Sequence, residues 1–227
     1  MLGHATLATA HVIFNEEKLV TGDLVLFETL SGVLKVRRDE TILQLDFPRG
    51  FPMSAELSGM AREKVAAAFG FAPHCILDIA FCTQTKKLIL HLDKPSRVWN
   101  AHVPHAKRLT HIEYSLDVRG IAISCSSTEA GWKEEMNAEG ARSELHSCDI
   151  VTRYFSPWNG IPEDPVNGSS HTILPYYYTK KLGLTSIKSF AASPRGGYLT
   201  ATIDENFSDR IFISGSACTV LQGTLRL

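Results

Sequence analysis

Gly160-Ile-Pro-Glu-Asp-Pro-Val-Asn-Gly-Ser-Ser-His171 is the stretch on which the reading of this chain turns. Pro165 has a fixed φ and pushes Asp164 toward extended geometry, so the carboxylate sits in a stiff turn. Asn167, Gly168 and Ser169 are residue types that start helices, and a helical run is expected from His171 through Tyr178. The amide groups at such a start are unpaired, and the helix dipole favours an anion beside them. A carboxylate next to an anion cradle suits proton transfer on a small carboxylic acid. The plainer reading of the same residues is a capped turn.

Working outward, the same unit recurs near the beginning. Gly3-His4-Ala5-Thr6 opens a helical run from Leu7 to Phe14, and 29 residues separate Gly3 from Gly32 just as 29 separate Gly168 from Gly197. Gly32 and Gly197 each lie in strand-like sequence (residues 27–36 and 190–203). Each is followed by a further β-rich run, 41–47 and 210–214. The pattern is one supersecondary unit used twice: helix from a small-residue turn, strand, glycine turn, strand, strand. More than a hundred residues precede the second unit and only Met1 and Leu2 precede the first. The first half therefore reads as trimmed at its N-terminus.

Gly3-His-Ala-Thr-Leu-Ala-Thr-Ala-His11, Arg153-Tyr-Phe-Ser-Pro157, the Gly160–His171 stretch, Ser193-Pro-Arg-Gly-Gly197 and Ile213-Ser-Gly-Ser-Ala217 together resemble the phenazine-biosynthesis PhzF-like family. The resemblance runs over almost the whole chain. It implies an α+β, diaminopimelate-epimerase-like fold of two pseudo-repeated halves, each wrapping a β-barrel-like sheet around a central helix, with the first half incomplete. It also implies isomerase chemistry by proton transfer, with no metal or organic cofactor, on a small cyclic or unsaturated carboxylic acid. Under that resemblance Asp164 and His4 handle protons, while Gly3, Gly168 and Ser169 hold the substrate carboxylate. The expected domains are residues 1–50 with 216–227 as the remnant of the N-terminal half and 51–215 as the C-terminal half, with the cleft between them. A last strand, Ala217 to Leu225, is expected to cross back to the first half.

The sequence departs from the family pattern in several places. No Ser-Glu-Thr segment supplies the family's N-terminal acid/base glutamate. Leu2 precedes Gly-His where relatives carry a smaller residue, Asn167 replaces a threonine, and Ala191 stands where a glutamine is common. The rival reading is therefore a catalytically impaired isoform, or a binding or regulatory protein that keeps the fold.

Composition limits the other choices. The 227 residues carry 44% hydrophobic and 21% charged side chains with a net charge of −1, which gives no electrostatic case for nucleic acid or membrane. Five cysteines without paired spacing read as reduced thiols, mostly in strands, of a cytoplasmic protein. The expected partners are a small-molecule carboxylic acid and a second copy in a homodimer. His102, His105 and His111 read as surface histidines rather than a metal cluster, and His11 as a satisfied, buried ring. Trp158 is a candidate cleft residue, and Arg195 a candidate partner for a substrate carboxylate. A helix is expected over Glu56–Phe69, a hairpin over 76–92, a strand over Val118–Ser124, and a polar surface loop over Ser127–His146.

Overall fold

The structure, a computed structural model, describes residues 3–16, 19–30, 32–204 and 209–224. Its strands are β1 (Leu24–Thr29), β2 (Gly32–Asp39), β3 (Ile42–Pro48), β4 (Met53–Ser54), β5 (Ile76–Cys82), β6 (Lys87–Leu92), β7 (Gly120–Ser126), β8 (Ile150–Ser156), β9 (Ile161–Asp164), β10 (Ser186–Ala191), β11 (Gly197–Thr202) and β12 (Arg210–Ser216). The helices are α1 (Gly3–His11), α2 (Gly59–Phe69), α3 (Pro95–Trp99), α4 (Ala106–Thr110), α5 (Ala130–Met136) and α6 (Leu174–Leu182). All strands share one sheet in the order β1-β2-β3-β12-β11-β10-β8-β7-β6-β5-β4, with β9 paired to β8.

The repeated unit is visible in this order. Each copy runs helix, strand, strand, strand: α1 with β1–β3, and α6 with β10–β12. Gly32 and Gly197 are the first residues of β2 and β11, at equivalent places in the two copies. The copies meet where β3 pairs antiparallel with β12, from Ile42↔Ser216 to Pro48↔Arg210. Alternate residues of these strands turn to one face, as a pleat requires. Leu34, Val36, Leu43, Leu45, Phe47, Leu199, Ala201, Ile211 and Ile213 thereby form a core with Ala10 and Phe14 of the first helical segment.

The other half of the sheet is covered on both sides. Leu88, Leu90 and Leu92 of β6 pack toward α2 to α5, beside Val65, Phe69, Val98 and Trp132. Ile89 points the other way, to Leu174 and Tyr178 of α6. Burial on both faces explains why β6 is a nearly continuous apolar run rather than an alternating one.

Several boundaries differ from the sequence expectation, each for a local reason. The first helix begins at Gly3 and ends in a widened π turn over Val12–Glu16. α2 starts at Gly59 because the Ser58 hydroxyl accepts from the Ala61 amide at 3.2 Å, and Gly70 ends it at φ 85°. The run expected from His171 is split into a 3-10 turn over Ser170–Thr172 and α6. Pro175 has no N–H to return to the His171 carbonyl, and the Thr172 carbonyl accepts instead from the Gly50 amide at 3.0 Å. Residues 217–224 lie outside any strand and Leu225 lies outside the described residues; β12 already fills the β3 edge that a crossing strand would need. Only Cys82 and Cys125 of the cysteines are in strands.

The segment expected to be a loop, Ser127–His146, contains α5 and a 3-10 turn. Trp132, 1% exposed, pins α5 to the core. A Cβ on Gly131 would meet the Asp93 carbonyl at 2.5 Å, so only glycine permits this approach. The Glu135 carboxylate then accepts from the amide (2.9 Å) and hydroxyl (2.5 Å) of Ser96 at the start of α3. Trp132→Ala is expected to cost about 3–5 kcal/mol in urea unfolding, the range for emptying a large buried aromatic site. A loss below about 1 kcal/mol would show that α5 is not anchored in the core.

Candidate active site

The Gly160–His171 stretch is held from three sides before it reaches any cavity. Successive strand residues face opposite ways, so Glu163 and Asp164 of β9 part company. Glu163 turns inward and receives two hydrogen bonds from Arg153, Nε at 2.6 Å and Nη2 at 2.9 Å. The same guanidinium donates to the carbonyl of Ala101 at 2.6 Å and that of Val98 at 3.2 Å. Arg153 and Glu163 side chains are 4% and 10% exposed, so neither charge can be lost without stranding the other. This pair escaped the sequence reading; its signal was an adjacent Glu and Asp on one strand, whose side chains must face opposite ways.

Asp164 turns the other way and accepts from Asn167 Nδ2 at 2.5 Å. Asn167 Oδ1 accepts from the amide of Ser170, and the Asn167 carbonyl accepts from the Ser170 hydroxyl at 3.1 Å and from His171 Nδ1–H at 2.6 Å. Asn167 is therefore the cap of the turn and its link to the carboxylate. Among the described residues, the amides of Gly168 and Ser169 have no acceptor.

The Ser193–Gly197 turn locks onto the same loop. The Ser193 hydroxyl donates to the Pro165 carbonyl at 2.8 Å and accepts from the Gly196 amide at 3.2 Å. Gly196 adopts φ 70°, and a Cβ on Gly197 would meet Val166 at 2.6 Å. One glycine is required by conformation and the other by contact.

Between these loops and the start of α1 lies a cavity of about 260 Å³. Gly3 and His4 line it from α1, and Gly168 and Val166 from the capped turn. Arg195 and Tyr198 line it from the second loop, and Leu45, Phe47 and Ile213 form its floor. The structure thus brings Gly3, His4 and Gly168 together. Asp164 and Ser169 are half-buried beside the cavity, outside its lining, with Asp164 connected to it through Asn167. Trp158 does not line the cavity; it packs against the core beside Tyr114. His11 is tied by Asn15 Nδ2 at 3.0 Å and by Thr219 Oγ1 at 3.1 Å.

Among the described residues no three His, Cys, Asp or Glu side chains assemble as a metal site. His105 instead caps α4. No described helix is long and apolar enough to cross a membrane.

A family model described as phenazine biosynthesis-like protein (PhzC-PhzF) matches residues 1–223. The chain belongs to this family. It is 34% identical over 227 residues to the phenazine biosynthesis-like domain-containing protein of Rattus norvegicus, covering 99% of this chain and 73% of that protein. A Pseudomonas aeruginosa protein described as an uncharacterized isomerase is 31% identical, covering 100% of this chain and 73% of that one. The solved structure of an Enterococcus faecalis PhzF-family protein superposes with TM-score 0.78 at 30% identity, over 99% of this chain and 73% of that one. A Pseudomonas aeruginosa structure described as a predicted epimerase shares the fold at TM-score 0.63 and 12% identity, over 94% of this chain and 70% of that one. The fold of this PhzF-family chain is accordingly α+β and diaminopimelate-epimerase-like.

Of the departures from the family pattern, Asn167 has a structural account. Its amide both donates to Asp164 and accepts from Ser170, two directions that a single threonine hydroxyl serves less independently. Leu2 lies outside the described residues.

Two buried imidazoles are expected to make this chain acid-sensitive. Burial pushes His171 down to about 4 from its ordinary 6.5, against the pull of the Asn167 carbonyl and Asp164. Burial also holds His91 at about 4, helped by Lys181 and opposed by Asp78. His91 Nε2 lies 3.1 Å from Glu129 Oε1, but its N–H direction misses the carboxylate, so the contact is not a hydrogen bond. Both folded values lie below the unfolded one, so the unfolded chain binds protons first as pH falls. The stability from keeping these rings neutral is fully present above about pH 6.5 and is lost toward about pH 4. Urea titrations across that window are expected to show a loss of up to roughly 3 kcal/mol per histidine, reduced in His91→Gln. A flat profile would contradict the buried, neutral assignment.

Proposed function

We propose that this chain is an isomerase that moves a proton within a small cyclic or unsaturated carboxylic acid, using no metal or organic cofactor. The observation that carries the reading is the convergence of the α1 start at Gly3-His4 and the capped turn at Gly168 on one cavity. Free amides at the capped turn and the N-terminal end of α1 favour a carboxylate there. With the acid group held, a base removes a proton from a carbon conjugated to it, and the charge spreads into the carboxylate as an enolate. The same amides stabilise that charge as it develops. The conjugate acid returns the proton to a different carbon, so the formula is unchanged and no electron acceptor takes part. Asp164 and His4 are the proton-handling groups, and Gly3, Gly168 and Ser169 the carboxylate donors. The relatives described as an isomerase and as an epimerase support this class of reaction.

A second reading rests on a specific observation: no Asp or Glu is among the described residues that line the cavity, and Asp164 is engaged by Asn167. On that reading the cavity binds a carboxylic acid without turning it over.

Incubation with a panel of cyclohexadiene carboxylates in heavy water separates the two. The isomerase reading expects deuterium in the recovered acid by mass spectrometry, reduced about 10²–10⁴-fold in Asp164→Asn and lowered in His4→Ala, with unchanged melting. Acid binding by calorimetry without any exchange in the unaltered chain would establish the second reading instead.

A further inference from the structure

A second cavity, of about 530 Å³, adjoins the first, and Arg195 and Gly196 line both. Its wall is formed by Trp99 and Phe190, with Arg142, Glu144 and the Arg153 guanidinium around them. Three aromatic rings run from one cavity to the other. Trp99 stacks on Phe190 with centroids 5.9 Å apart at 28°, and Phe190 meets Tyr198 at 4.9 Å. Tyr198, 53% exposed, belongs to the first cavity, so buried Phe190 bridges the two. β10 and β11 fix this row, since Phe190 and Tyr198 are directly paired.

The charges along the row are unbalanced. Glu163 neutralises Arg153 in a two-point pair. The Arg142 guanidinium lies 5.0 Å over the Trp99 ring, and neither it nor Arg195 has an ion-pair partner among the described residues. Glu144, which accepts from its neighbour Ser143 at 3.2 Å, is the one carboxylate among the described residues of this wall. Two planar guanidiniums beside a row of rings suit a flat, conjugated molecule ending in a carboxylate: rings stack on rings, and the fork of an arginine matches two oxygens.

We propose that the Arg142–Trp99 shelf is a second subsite, which takes the far end of an elongated, planar dicarboxylic acid whose first carboxylate sits between Gly3 and Gly168. Arg142 and Arg195 receive the second carboxylate, and half-buried Trp99 and exposed Tyr198 flank the conjugated body between them, with buried Phe190 backing both rings. The inference rests on the reading of the first cavity as a carboxylate site, and it narrows the substrate class from acids in general to diacids.

Calorimetric titration of the full chain with benzoate, terephthalate and biphenyl-4,4′-dicarboxylate tests it. At least one diacid is expected to bind about tenfold or more tightly than benzoate at low salt. In Arg142→Ala that advantage is expected to shrink to within about twofold with benzoate affinity unchanged, and Arg142→Lys is expected to restore only part of it. Matching circular dichroism melts establish that the variants are folded. Equal affinities for benzoate and both diacids overturn the shelf and leave the first cavity standing, as does a diacid advantage that survives Arg142→Ala. Absence of binding by all three acids overturns the carboxylate reading of the first cavity, and the shelf with it.

Discussion

The antiparallel pairing of β3 with β12, seven residues long and centred on Leu45↔Ile213, joins the two copies of the repeated unit. It also makes the floor of the cavity, through Leu45, Phe47 and Ile213. A slip of one residue would turn Leu43, Leu45 and Phe47 away from Ala10 and Phe14 and put Gln44 and Asp46 beneath α1. Arg210 resists such a slip, donating from Nε to Asp46 Oδ1 at 2.6 Å across the pair. The cavity exists because two copies of one unit meet here and bring the α1 start and the capped turn ahead of α6 over one strip of sheet.

Rigidity at the capped turn comes from buried polar contacts rather than apolar packing. Arg153, Glu163, Asn167, Ser170 and His171 are buried or nearly so, and each bonds to a loop that the sequence places far away or to the turn itself. Such networks are costly when half-satisfied, so they hold one geometry. The Gly168 and Ser169 amides are thereby oriented in advance, so a ligand bound there would not have to order them. His171 bears part of the cost: its Nε2 is buried without a partner among the described residues, and its ring stays neutral.

The sequence made the architecture legible because glycine spacing records backbone geometry. Gly3 opens α1, Gly168 lies in the capped turn ahead of α6, and Gly32 and Gly197 open strands, so equal intervals imply equal units. The Asp-Pro and Asn-Gly pairs likewise announced a turn with a cap. What stayed hidden depended on partners remote in sequence. Arg153 and Glu163 are only ten residues apart, yet their role shows only when β9 folds back on β8 and the 98–101 carbonyls close over them. α5 was masked by its glutamates, although Trp132 in that polar run was the clue to a buried anchor. Arg195 was recognised as a candidate carboxylate partner, but nothing in the chain order places Arg142 and Trp99 beside it.

On the proposed function, unpaired amides at two converging segments hold a carboxylate. Titrating the ¹⁵N-labelled chain with benzoate and following amide chemical shifts tests it most directly. The largest, saturable shifts are expected on Gly3, His4, Gly168 and Ser169, with the β5–β7 amides unmoved. Saturable shifts elsewhere, with those four amides silent, would contradict it.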